Sequence, residues 1–135
     1  MIKNEYLAEF NSNSGITTES LISLKLPKRL PTDYIEFLKK FNGGEGFVGE
    51  EYLVLEKAEK LLERNKNYKI EEFDKNIFLI GGNGAGEGVA IDFRNDKPRY
   101  ILIPLIFEYD AILYLGKNIK ELFEQIYENG FFEEN

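Results

Sequence analysis

The clearest apolar pattern in the chain lies between Pro31 and Asn42. A proline at the first helical position and an Asn-Gly-Gly sequence after the last apolar residue are typical of the two ends of a helix. The apolar side chains between them recur at the spacing i, i+3, i+4 and i+7, which places them on one helical face; they are Tyr34, Phe37, Leu38 and Phe41. The pattern therefore predicts an amphipathic helix over this segment.

A second amphipathic helix is predicted near the C-terminus. Asn118 can cap its first turn, and Glu121, three residues later, completes a capping-box pattern. Gly130 would end it, and we expect the acidic tail at 131–135 to be loose. The buried face of this helix would consist of Ile119, Leu122, Phe123, Ile126 and Tyr127.

Strands are predicted in the middle of the chain. The apolar run 77–80 indicates a buried strand, and the alternation over 88–94 indicates a strand with one wet face. The segment 99–105 would return as its partner across a turn at 95–98. Shorter elements are predicted as helices at 6–10, 18–24 and 55–65 and as strands at 52–55 and 111–115.

These elements predict an α+β fold in which helices pack against a mainly antiparallel sheet. The polar run 11–15 is expected to end the first short helix. A length of 135 residues suits one domain, and the chain contains no linker or repeat that would divide it. We therefore expect a single domain over 1–135 with its core at about 16–129.

Composition excludes much catalytic chemistry. The chain contains no histidine and no cysteine, so a Cys/His zinc site, a thiol nucleophile and a Ser-His-Asp triad cannot form. We predict no enzymatic activity, no cofactor and no metal. The net charge of −7 disfavours direct contact with nucleic acid and suits a basic protein partner. Without a signal-peptide pattern or an apolar run of membrane-spanning length, the expected compartment is the cytoplasm and no membrane contact is expected.

Two glycine-rich segments were candidates for a functional loop. The segment 81–88 has neither a Gly-Lys-Ser/Thr ending nor a G-x-G-x-x-G register, so it predicts a flexible connection between strands more than a phosphate cradle. The segment 43–51 combines glycines, carboxylates and Phe47. It is either an interaction loop or a helix-ending loop whose phenylalanine enters the core.

The C-terminal helix leaves a similar choice open. Its polar side carries Glu121, Glu124 and Glu128. This is either an ordinary solvated face or an electrostatic docking surface for a cation-rich protein.

The segment from Leu30 to Gly44 resembles a known family. Its Leu-Pro, Tyr34, Phe37-Leu38 and Asn42-Gly43 positions are similar to the helix motif of the SUKH superfamily, the Smi/Knr-like domains. The looser agreement extends over about 16–129, through the strand that ends at Gly81 and the strand that contains Asp92. The helix start Asn118-Ile119 departs from the Ser-Phe that is frequent in the family.

The resemblance implies an α+β domain without catalytic residues. For many bacterial members it implies an immunity protein that binds and neutralises a cognate toxin, often a nuclease, encoded beside it. A fungal branch acts instead as a regulatory scaffold in cell-wall synthesis and signalling, so a regulatory interaction domain without a toxin is the alternative.

Our leading hypothesis is a non-enzymatic immunity protein that occludes a basic toxin by presenting carboxylates. An acid/base enzyme that uses paired carboxylates is a third possibility, and the oligomeric state is left open. The predicted partner-binding residues lie on expected loops or strand ends; they are Glu45, Glu50, Glu51, Glu87, Glu108 and Asp110.

Overall fold

The structure is a computed structural model that describes residues 1–132. Its centre is a seven-stranded sheet in which every neighbouring pair is antiparallel and the strands follow one another in chain order. The predicted α+β class is confirmed. The strands are β1 (Phe10–Ser14), β2 (Phe41–Val48), β3 (Glu51–Leu55), β4 (Ile77–Gly82), β5 (Glu87–Asp92), β6 (Arg99–Pro104) and β7 (Leu113–Gly116).

Within residues 1–132, six α-helices accompany the sheet, with single 3-10 turns at Ala58–Lys60 and Tyr109–Ala111. Over the described part of the chain, none of the helices is long and apolar enough to cross a membrane. The helices are α1 (Asn4–Leu7), α2 (Thr18–Leu24), α3 (Thr32–Lys40), α4 (Leu61–Tyr68), α5 (Ile70–Phe73) and α6 (Ile119–Asn129).

The two amphipathic helices predicted from the sequence are present as α3 and α6. The Asn118 side chain accepts a hydrogen bond from the Glu121 backbone N–H at 2.8 Å and so caps α6. The Glu121 carboxylate reaches back to the Lys117 N–H at 3.1 Å, one residue further than a capping box requires. Both helices pack their apolar faces on one side of the sheet, where Phe37 and Phe123 lie in contact.

The other side of the sheet is covered only in part. A smaller core forms there from α5, β4, β5, β6 and the chain that leads from β6 to β7, and β1, β2 and β3 contribute nothing to it. This second core corrects the prediction of a wet face on β5, because Ala90 and Asp92 are both buried. The chain at 105–112 and α5 shield that face from water.

Near the N-terminus two predictions were wrong. The first helix ends at Leu7, and the polar run expected to end it forms strand β1. The glycine-rich segment 43–51, expected as a loop, forms most of β2 and the turn into β3. Gly46 lies where β1 approaches closely, since a Cβ on it would stand 2.2 Å from the Glu9 carbonyl oxygen. These glycines therefore serve strand packing.

The other predicted helices and strands are present with shifted ends, whereas the prediction of a loose tail is wrong at Phe131. The glycine segment 81–88 forms the end of β4, a tight turn and the start of β5, so it is a hairpin connection as predicted. Phe131, part of the tail expected to be loose, is 2% exposed and belongs to the main core. Phe132 is exposed, and the other tail positions under that expectation, 133–135, lie outside the described residues.

Candidate functional site

The outer side of β1, β2 and β3 is an uncovered sheet face. In the strand register, Asn11, Glu45 and Val54 form one row across the three strands, and Phe47 lies opposite Tyr52 in the next. Since side chains directly opposite each other lie on the same face, these five residues share one surface. We call it the open sheet face.

The open sheet face carries exposed aromatic rings. Phe47 is 49% exposed and Tyr52 is 37% exposed, and their ring centroids lie 5.2 Å apart in an edge-to-face arrangement. The main core lies on the other side of the strands, where the alternate positions Val48, Leu53 and Leu55 are buried. Phe47 therefore does not enter the core, and the interpretation of 43–51 that required this is wrong.

A carboxylate is held beside these rings. The Tyr52 hydroxyl donates a hydrogen bond to the Glu45 carboxylate at 2.6 Å. This bond, with a smaller effect from burial, raises the pKa of Tyr52 above its ordinary value, so the phenol stays protonated and remains the donor. An amphipathic ring and an oriented carboxylate thus form one preassembled unit.

The chain segments that form β1, β2 and β3 carry charged residues of one sign only. Residues 4–24, which include β1, and 41–56, which include β2 and β3, contain no lysine or arginine. They contain acids at several exposed positions, among them Glu9 and Glu50. Arg64 of α4 pairs with Glu56 and lines a pocket together with Val54, but the strands themselves supply only carboxylates. The region therefore presents a net negative charge to an approaching molecule.

The structure gathers only part of the predicted set of acids on this side. Glu45 belongs to the open sheet face, and Glu50 is exposed in the β2–β3 turn at its end. The carboxylate of Glu51 accepts a hydrogen bond from the Phe131 N–H at 2.9 Å, so it secures the chain after α6.

The other predicted acids lie elsewhere. The Glu87 carboxylate accepts a hydrogen bond from the Asn83 side-chain amide at 2.6 Å, within the β4–β5 turn. Glu108 and Asp110 are exposed on either side of Tyr109, whose hydroxyl donates to Asp74 at 2.9 Å. The six acids are thus divided among three segments of the fold.

Sequence reasoning missed Tyr52 and Asn11 as surface residues. The available signal was the alternation in β2, where Glu45 and Phe47 occupy one set of positions and Gly44 and Gly46 the other. Glycines on the core side of a strand allow a neighbouring strand to approach closely and leave the opposite set of side chains outward. The segment is rich in glycine, which is typical of a turn, and this composition concealed the alternation.

A second acidic surface lies along α6. A groove of about 490 Å³ runs between this helix, Tyr6 and Tyr114. It is lined by Glu121, Glu124 and Glu128, the acids for which the sequence did not decide between a solvated face and a docking surface. The Tyr6 hydroxyl donates to Glu128 at 3.1 Å, and Glu121 is engaged with the Lys117 N–H. Glu124 is exposed, so it is the acid of this groove most available to a partner.

No constellation suited to metal chemistry occurs among residues 1–132: no group of three or more Asp or Glu side chains there could hold an ion. The most buried acid is Asp92, and it is occupied by Arg94 and Arg99 at 2.9 and 3.1 Å. Burial works to raise the pKa of Asp92, but the hydrogen bonds from these two arginines outweigh it and hold that pKa below its ordinary value.

The architecture defines an α+β domain with a meander sheet, a helical layer on one face and an acidic, aromatic surface on the other. The chain belongs to the SMI1/KNR4 family (SUKH-1), whose family model matches residues 5–125. The resemblance seen in the helix motif at Leu30–Gly44 is thereby confirmed. No curated protein matches the chain in a sequence comparison.

Proposed function

We propose that this protein is a non-catalytic immunity protein that neutralises a basic toxin, of the nuclease type, by binding it through the open sheet face. The observation that carries the proposal is the pairing of exposed Phe47 and Tyr52 with carboxylates on strands that themselves contain no lysine or arginine. Family membership supports a role of this kind. The alternative is a regulatory scaffold with several partners.

The chemistry of the surface suits such a partner. Aromatic side chains supply much of the binding energy in protein interfaces, and tyrosine adds a hydrogen-bonding group at low entropic cost. Carboxylates arranged on a face mimic the phosphates that a nuclease recognises, and they accelerate encounter with a cationic protein. The open sheet face offers both, with Glu45 already oriented by Tyr52.

The remaining predicted contacts extend this proposal. Glu50 would meet the partner at the edge of the face. Glu87, Glu108 and Asp110 belong to other segments and would contribute through the long-range field more than through the same contact. Glu51 is engaged with the Phe131 N–H, so its effect would be on the turn that carries Glu50.

The direct test of the function is co-expression with the protein encoded beside it. We expect this chain to restore growth to cells that produce that toxin and to co-purify with it as one tight complex. The association rate should fall steeply as salt rises, because the encounter is electrostatic. Growth arrest that persists, without co-purification, would contradict the proposal, and several partners with little salt dependence would favour the scaffold.

Single charge reversals test which acidic surface makes the contact. Glu50→Lys in the turn at the end of the open sheet face and Glu124→Lys in the α6 groove change the net charge equally, and both positions are exposed. We expect Glu50→Lys to slow association with the toxin about tenfold at low salt, measured by surface plasmon resonance. Glu124→Lys should change the rate much less.

The aromatic contribution is tested in the same experiment. Phe47→Ala should weaken the complex about thirtyfold or more through faster dissociation, since a central aromatic residue is removed. Ile106→Ala is the matched control, because Ile106 is 78% exposed in the segment after β6. A larger loss for Glu124→Lys or Ile106→Ala than for the variants at the face would place the contact elsewhere and contradict the assignment.

A further inference from the structure

A cleft of about 410 Å³ has no lining residue in the acidic strands β1, β2 and β3. It is formed by the segment before α3, by α4 and α5, and by the start of β4. In a chain of net charge −7 its rim is basic, and it carries Arg29, Lys66, Lys69 and Lys75. Glu71 and Glu72 also line it, which leaves a positive balance.

The most strongly positioned of these cations is Arg29. Its guanidinium lies 4.4 Å from the centre of the Phe93 ring, and it donates to the side-chain oxygen of Asn76 at 3.1 Å and to the Lys75 carbonyl. These acceptors are neutral, so they fix the orientation of the guanidinium without cancelling its charge. A planar donor held in this way is prepared for an oxyanion.

The lysines are also available. In the part of the chain that the structure describes, neither they nor Arg29 form an ion pair, although other bases of the protein do. Lys69 adopts a left-handed conformation with φ of 55°, which ends α4 and turns the chain into α5. This turn places Lys66 and Lys69 on the rim of the same cleft.

Apolar side chains form the lower part of the cleft. Ile70, Ile77 and Phe78 line it and are almost fully buried, and Leu62 lines it while 45% exposed. Asn65 lies among them, but its amide is fully engaged with the backbone of Leu61 and Leu79. The cleft thus combines an apolar floor with a cationic rim.

We propose that this cleft binds a phosphate monoester with a small apolar or aromatic organic group. The volume is within the range of small-molecule sites, about 300 to 1,000 Å³. A phosphate monoester carries between one and two negative charges at neutral pH, and its oxygens match the fork of an arginine. The organic group would lie on the apolar floor, and the phosphate would lie between Arg29 and the lysines.

This site is independent of the toxin-binding surface. It involves none of the residues of the open sheet face, and its charge is of the opposite sign. A failure of the experiment below would leave the proposed function unaffected, and a failure of toxin binding would leave the cleft assignment unaffected.

The test is isothermal titration calorimetry of the full chain with phenyl phosphate, inorganic phosphate and benzoate at low salt. We expect saturable binding of phenyl phosphate, with inorganic phosphate weaker by about tenfold because it does not cover the apolar floor. Benzoate should also bind more weakly, since it carries a single charge. Absence of saturable binding of phenyl phosphate at millimolar concentration, or equal affinity for all three probes, would overturn the proposal.

Paired variants separate the cleft from the general charge of the protein. Lys66→Gln with Lys75→Gln should weaken phenyl phosphate binding about tenfold or more, and Arg29→Gln should do the same. Lys97→Gln with Lys120→Gln removes the same charge at exposed positions outside the cleft, and it should leave the affinity within about twofold.

Backbone amide shifts provide a second readout. Phenyl phosphate should move the NMR signals of Lys69, Ile70 and Ile77 and leave those of Glu45 and Phe47 unchanged. An equal loss of affinity in the cleft pair and the control pair, or shifts confined to other segments, would overturn the assignment.

Discussion

Replacing Asp92 by alanine is expected to lower the free energy of unfolding by about 3 kcal/mol, which for a protein of this size is a large share of its total stability. The Asp92 side chain is fully buried and accepts hydrogen bonds from Arg94 and Arg99. It also accepts one from the Arg94 backbone N–H at 2.9 Å. Its removal leaves two arginines and a backbone donor without their partner at the end of β5.

Urea denaturation at neutral pH measures this loss. Asp96→Ala is the matched control, because Asp96 is exposed in the turn between β5 and β6 and forms no ion pair among the described residues. We expect that variant to differ from the wild type by no more than about 0.5 kcal/mol. Equal unfolding midpoints for Asp92→Ala and the wild type would contradict the assigned role of the carboxylate.

The lowered pKa of Asp92 also predicts how the stability of the protein changes with pH. Since the pKa of Asp92 is lowered in the folded protein, its contribution to stability is complete above the unfolded pKa of about 3.9 and is lost as pH falls through the lower folded pKa. The difference in unfolding free energy between the wild type and Asp92→Asn should therefore stay constant, within the precision of the measurement, between about pH 5 and pH 7. It should shrink below about pH 4. A difference that grows on acidification would contradict this.

Asn65→Ala is expected to cost about 2 to 4 kcal/mol, because it would leave two buried backbone groups of Leu79 unpaired. The Asn65 side chain accepts from the Leu79 N–H at 2.7 Å and donates to the Leu79 carbonyl at 2.9 Å. Strand β3 pairs with β4 only at Gly81 and Gly82, so it does not reach this position. The amide therefore occupies the place of a missing strand neighbour.

The control for this prediction lies on the same helix. Asn67 is exposed on α4, and its replacement by alanine removes the same functional group without touching β4. Hydrogen exchange should show faster exchange of the Leu79 amide in Asn65→Ala and no change in Asn67→Ala. An unfolding free energy that is equal in the two variants would show that the backbone of Leu79 finds other partners.

The sequence predicted the helices whose ends are marked by local chemistry. Both α3 and α6 combine a regular apolar stripe with a capping or breaking residue at each end, and those signals depend on neighbours within one or two turns. The apolar run at the start of β4 was equally clear. The order of the predicted elements indicated the antiparallel α+β class, and the family motif in α3 implied the same class.

Strands β1 and β2 were missed because their identity depends on tertiary contacts. Polar residues and glycines predict turns locally, but β1 is stabilised by its ladder with β2, and Gly46 is needed where Glu9 approaches. The burial of that face of β5 was missed for a related reason: the segment 105–112 and α5, which pack against it, are distant from β5 in sequence.

The sequence predicted the charge of the candidate site better than it predicted the position of the site in the fold. The net charge followed from composition, but the exposure of Phe47 was left open between two interpretations. The row that joins Asn11, Glu45 and Val54 requires the register of three strands. The basic cleft was not predictable either. Its lysines are Lys66 in α4, Lys69 between α4 and α5, and Lys75 after α5, while Arg29 belongs to a separate part of the chain.

The chain-order sheet also bears on how the protein is made. Each strand bonds to the one synthesised before it, so during translation an emerging strand meets a partner that has already left the ribosome. No strand has to insert between two others, and few of the strand pairings join segments that are distant in sequence. The closing helix, α6, is the last of these elements to be synthesised, and it must return across the sheet to reach α3 and β2.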